Sequence, residues 1–87
     1  MTARVMTKKD ELSAMFGGVE LMAIRMKAKL KRKAREGRSG GLDRQNCVMV
    51  SKLLREHVAR LCSGEPRQAI DVCNLAMMLW VQAGSPE

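Results

Sequence analysis

Apolar residues recur along this chain at helical spacing. From Val19 the positions Val19, Met22, Ala23, Met26 and Leu30 form one stripe, while the other faces carry Lys and Arg. A second stripe, Val50, Leu53, Leu54, His57, Val58 and Leu61, follows the i, i+3, i+4, i+7 rule with a histidine inside it. From Leu75 to Val81 every residue is apolar, so a helix there is hydrophobic nearly all round and belongs on the inside of an assembly. No strand-like alternation interrupts these patterns.

Start and stop signals divide the stripes into helices. Thr7-Lys8-Lys9-Asp10 has the form of a capping box and opens a short helix to about Phe16. Gly17-Gly18 predicts a break or kink, because each glycine costs about 1 kcal/mol in a helix interior relative to Ala. The next helix ends near Glu36, with Gly37 as its left-handed stop and cations in the turn before it. A loop over Arg38-Ser39-Gly40-Gly41-Leu42-Asp43 follows, and Asp43 or Asn46 can cap the third helix. Ser63-Gly64-Glu65-Pro66 is a stop and restart, with Pro66 suited to the first turn of a fourth helix reaching about Gln82. The expected architecture is an all-α small bundle of three main helices plus a short N-terminal helix. Residues 1–6 are an expected disordered N-terminus, 7–84 a single helical domain and 85–87 a C-terminal tail.

Composition sharpens this picture. A chain of 87 residues builds only a small core, and homo-oligomerisation is a common way to complete one. Phe16 and Trp80 are the only aromatic residues, and eight Met supply an adaptable apolar surface. Met77, Met78 and Trp80 are accordingly candidate interface residues. Cys47, Cys62 and Cys73 lack metal-binding spacing, and His57 is the only histidine; three reduced, mostly buried thiols are expected. No apolar run spans a bilayer and no secretory signal is visible, so a cytoplasmic location without membrane contact is expected.

The net charge of +7 makes an anionic partner plausible. Arg25, Lys29, Lys31, Arg32, Lys33, Arg35 and Arg38 are candidate anion-binding residues for a nucleotide or a nucleic acid, and a solvated helix face is the competing account. No aromatic residue interleaves them, so base stacking is not encoded. The loop from Gly37 to Gly41 lacks the Walker pattern and reads as a connector.

Two polar residues, Asp71 and Asn74, lie three apart at the start of the most apolar helix and share a face. The string Asp71-Val72-Cys73-Asn74-Leu75-Ala76-Met77-Met78-Leu79-Trp80 resembles the acid-Val-x-Asn-x-Ala-Met-Met helix of the MazG-like, all-α nucleotide pyrophosphohydrolases. Upstream, Met26, Lys29-Leu30, Gly37-Arg38-Ser39-Gly40, Asp43 and Leu53-Leu54-Arg55-Glu56-His57-Val58 are similar to small phage and prophage proteins related to that group. The resemblance covers roughly residues 22–82.

In that family a Glu-x-x-Glu and a Glu-x-x-Asp gather Mg²⁺, which neutralises a nucleoside triphosphate and orients a water for its cleavage. The resemblance maps the first pair onto His57 and Arg60 and the second onto Gln68 and Asp71. Asp71 alone keeps its acid, and Glu56 points about 100° away from His57 on a helix. Gly41-Leu42 stands where the related phage proteins often carry Trp-Asp. The resemblance therefore implies the fold rather than the activity: a catalytically degenerate binding module, with no cofactor. Mg²⁺ enters only if acids such as Glu56 or Glu65 come from a partner subunit to make a residual pyrophosphohydrolase. Asp71, Asn74, His57, Arg60 and Gln68 are the candidate remnant site. The residues themselves also permit a buried polar clasp, in which Asp71 and Asn74 pair with His57 or Arg60 across the helix interface.

Overall fold

A computed structural model describes residues 6–87, and Met1–Val5, within the expected disordered N-terminus, lie outside the described residues. The chain is all-helical: α1 spans Lys8–Arg35, α2 Cys47–Cys62 and α3 Gln68–Gln82, with a 3₁₀ turn at Arg44–Asn46 before α2.

The local signals act much as the sequence implies. Thr7 Oγ1 accepts from the Asp10 amide at 3.1 Å, and Asp10 and Glu11 sit in the first turn of α1, where the helix dipole favours them. All three helices stop in the same way. Gly37, Gly64 and Gly84 adopt positive φ, and the amides of Arg38, Glu65 and Ser85 reach back to the carbonyls of Lys33, Arg60 and Trp80. These are Schellman closures, which satisfy carbonyls the helix itself leaves unpaired.

Three local expectations change. Gly17-Gly18 does not break the chain: the short leading helix forms the first turns of a continuous 28-residue α1. The cap at Thr7 and strong helix formers on both sides outweigh the local cost of the pair. Asp43 caps the 3₁₀ turn, accepting from the Gln45 amide at 2.9 Å, whereas the Asn46 side chain caps nothing and donates to the Gly40 carbonyl at 2.9 Å. Pro66 lies in a turn just before α3, with its carbonyl accepting from the Ala69 amide at 3.1 Å.

The helices pack unequally. α3 lies along α2 as an antiparallel hairpin partner, and α1 lays its C-terminal half across α3. The loop between α1 and α2 is pinned from α3, where Gln82 Nε2 donates to the Gly41 carbonyl at 2.8 Å. A Cβ at Gly41 would stand 2.7 Å from Met78 Sδ, so any side chain here would have to displace the thioether. Among the described residues Val50 is the only buried apolar residue, and the others as buried are Asp71, Asn74 and Gln82. By contrast, every residue from Met6 to Leu21 is exposed. α1 thus overhangs the bundle, in a molecule 49 Å long and 29 Å and 23 Å across. No helix among the described residues is long and apolar enough to cross a membrane.

The cysteines depart from expectation. All three are free thiols, but Cys47 and Cys62 are exposed and only Cys73 is half-buried. The exposed two are the first and last residues of α2.

Candidate functional site

Asp71 sits in the first turn of α3, 6% exposed, where all three helices meet. Lys29 and Lys33 are four apart on α1 and so project from one face. Lys29 Nζ lies 2.5 Å from Asp71 Oδ2, and Lys33 Nζ lies 3.7 Å from Oδ1. From α2, His57 Nδ1 approaches Oδ2 at 3.8 Å and makes a short hydrogen bond to Gln68 Oε1. The Gln68 carbonyl can only accept, so the proton of that bond belongs to Nδ1.

Burial raises the pKa of the Asp71 carboxyl, but the hydrogen bond and charge of Lys29, followed by the charges of Lys33 and His57, outweigh it. The group is held below its ordinary value of 3.8. It is ionised at neutral pH and opposed by two cations.

One turn on, Asn74 Nδ2 contacts the Met26 carbonyl at 3.4 Å, and Asn74 Oδ1 is buried without a partner. Asn74, Asp71 and His57 border a cavity of about 70 Å³. Beside it a larger apolar cavity of about 310 Å³ separates α1 from α2, walled by Leu30, Val50, Leu53 and Leu75 with Lys33 and Arg38.

The structure therefore brings Asp71, Gln68, His57 and Asn74 together and leaves Arg60 out. Arg60 is exposed near the end of α2, and its carbonyl serves the stop at Ser63–Glu65. Of the expected clasp partners His57 approaches Asp71 and Arg60 does not, while Lys29 and Lys33 stand closer than His57. The sequence pattern groups Lys29 and Lys33 with the anion-binding cations. The signal for their role was their angular position. Lys33 is seven residues after Met26 and three after Leu30, which places a cation on the buried edge of the apolar stripe and calls for a carboxylate opposite.

Of the other cations, Arg25, Lys31, Arg32, Arg35 and Arg38 are exposed. Arg25, Lys29 and Arg32 border an open concavity of about 600 Å³ together with Arg67 from the start of α3, a residue the sequence pattern did not single out. Met78 packs against Gly41, and Met77 is half-buried. Trp80 is 51% exposed, its indole N–H donating to the Pro86 carbonyl at 2.6 Å.

The donor set does not suit a divalent cation. Among the described residues no three His, Cys, Asp or Glu side chains gather as a metal site, and the carboxylate present already neutralises two lysines. Comparison with protein-family models, with curated proteins and with solved structures found no match to this chain.

Proposed function

We propose that this chain is a catalytically degenerate MazG-like helical protein of the phage and prophage type, acting as a binding or interaction module. The observation that carries this reading is the ion cluster at Asp71. The one acid remaining at the family's metal positions is turned toward Lys29 and Lys33, and it ties α1 to α3. A carboxylate so engaged stabilises a scaffold, and recruiting it for Mg²⁺ would leave two lysines facing the metal. The sparse apolar burial supports the same reading, since a surface this incompletely packed suits association.

The test is pyrophosphate release from dNTPs with Mg²⁺ or Mn²⁺. The expected outcome is no release above a protein-free blank. Release that disappears in Asp71→Ala would overturn the proposal and assign the missing ligands to acids such as Glu56 or Glu65 of another copy.

A second reading has its own support in the basic concavity. Arg25, Lys29, Arg32 and Arg67 surround one open depression, a fit for a phosphate-bearing ligand held by charge without base recognition. Such binding weakens steeply with salt and is lost in the Arg25→Gln, Arg32→Gln, Arg67→Gln triple variant. Salt-insensitive binding, or no binding to a short DNA duplex at low salt, excludes it.

A further inference from the structure

The overhang of α1 has the features of half an interface. Leu12, Met15, Phe16 and Val19 are 51%, 56%, 60% and 67% exposed and fall within one arc of roughly 100° on the helix. Among the described residues nothing lies over them. A Cβ added at Gly17 or Gly18 would likewise meet no neighbouring element within 4 Å. A free helical segment of this length carrying two glycines gains little from propensity alone, so packing against a partner would strengthen it.

We propose that the occupant of this face is a second copy of the same chain, paired antiparallel along α1 with the two-fold axis beside Gly17. This rests on the interaction-module reading and specifies its first partner.

The register follows from the spacing. Leu12, Met15, Val19, Met22 and Met26 are separated by alternating steps of three and four, the a and d positions of a heptad seam. Antiparallel pairing sets each a opposite a d: Leu12 meets the second copy's Met22, and Met15 meets its Val19. The seam is self-complementary, as a closed two-fold interface demands. The same register places Lys8, the first residue of α1, opposite Met26, the residue whose carbonyl receives Asn74. Met22 and Met26 are half-buried in the bundle, so the pairing runs from the exposed turns of α1 to the point where α3 takes over.

Charge selects the direction. Glu11 and Arg25 lie two heptads apart on the same edge of the seam. Antiparallel pairing brings Glu11 of each copy beside Arg25 of the other, giving two ion pairs by symmetry. A parallel in-register pair would set Glu11 beside the other copy's Phe16 and Arg25 beside its Leu30, leaving both charges unanswered.

Light scattering across a concentration series tests the proposal. The expected mass is twice the 9.7 kDa of the chain. Val19→Glu should return it to the single-chain value. Val48→Glu, which alters an apolar residue 76% exposed on α2, should leave the mass unchanged. Trp80, the only tryptophan, reports through its fluorescence that the bundle of the Val19→Glu variant is intact. Glu11→Arg and Arg25→Glu should each weaken the dimer by about tenfold, and the double exchange should restore it. A wild type at single-chain mass, a Val19→Glu dimer, a mass lost only in Val48→Glu, or a double exchange without recovery would each overturn the pairing. None of these outcomes depends on nucleotide hydrolysis, so the interface and the degenerate site fail independently.

Discussion

Lys29 Nζ stands 2.5 Å from Asp71 Oδ2, joining the C-terminal half of α1 to the first turn of α3 across 42 residues of chain. The contact lies where all three helices converge, since His57 approaches the same oxygen from α2. Here the three helices are joined by an ion cluster rather than a knot of leucines.

Removing the charge of Asp71 should loosen the bundle. Asp71→Asn keeps the shape but leaves Lys29 and Lys33 without an anion. A loss of about 1–3 kcal/mol is expected, less than for a fully buried pair because both lysines retain some solvent. For a domain of this size that lowers the Tm by roughly 5–15 °C. An unchanged melting curve would mean the cluster contributes nothing to the fold.

The same group sets an acid limit. Its folded pKa lies below the ordinary value of 3.8, so the unfolded chain takes up the proton first as the pH falls. The stabilisation is complete above 3.8 and declines as the pH drops through the lower folded value. Urea titrations through this window should show wild-type stability falling with acid, with a shallower slope in Asp71→Asn. Parallel slopes would assign the acid sensitivity to other carboxylates.

Much of this architecture is legible in the residues. Gly37, Gly64 and Gly84 mark the three helix ends because a left-handed closure strongly favours glycine. Asp71 and Asn74 stand out as polar residues at the head of an apolar helix, and both are buried. What stays hidden depends on tertiary geometry. The crossing of α1 over α3 decides which cations meet Asp71, and no local pattern encodes a crossing angle. Lys29 and Lys33 therefore merge with their solvent-facing neighbours in the sequence, and Arg67 is invisible beside a proline turn. Gly17-Gly18 misleads for the opposite reason: a local penalty is real but smaller than the summed propensity of a 28-residue helix.

Filling the glycine pair should strengthen α1. Gly17→Ala with Gly18→Ala meets no neighbouring atom and removes about 1 kcal/mol of helix penalty per site. Far-UV circular dichroism should show higher helicity with later fraying on heating. A lower signal would mean that the chain bends at this point in solution.

The opposite result is expected at Gly41. Gly41→Ala drives a methyl group into Met78, and the flexible thioether yields at a cost of about 1 kcal/mol. Combined with Met78→Ala, the substitution should be nearly neutral relative to Met78→Ala alone, a coupling that a double-mutant cycle in urea reads directly. Strict additivity would show that the loop moves instead of the side chain.

The order in which the chain leaves the ribosome gives the seat of α1 on α3 a temporal meaning. A cavity stands between α1 and α2, and the polar anchors of α1, Lys29 with Asp71 and Met26 with Asn74, are made by α3. Of the three described helices α1 is made first, and the polar partners that hold it are made last. α2 and α3 can zip together through nearby contacts as soon as both have emerged, while α1 stays undocked until Asp71 and Asn74 exist to receive it. A nascent chain stopped short of residue 71 therefore holds a fully translated α1 with nowhere to dock.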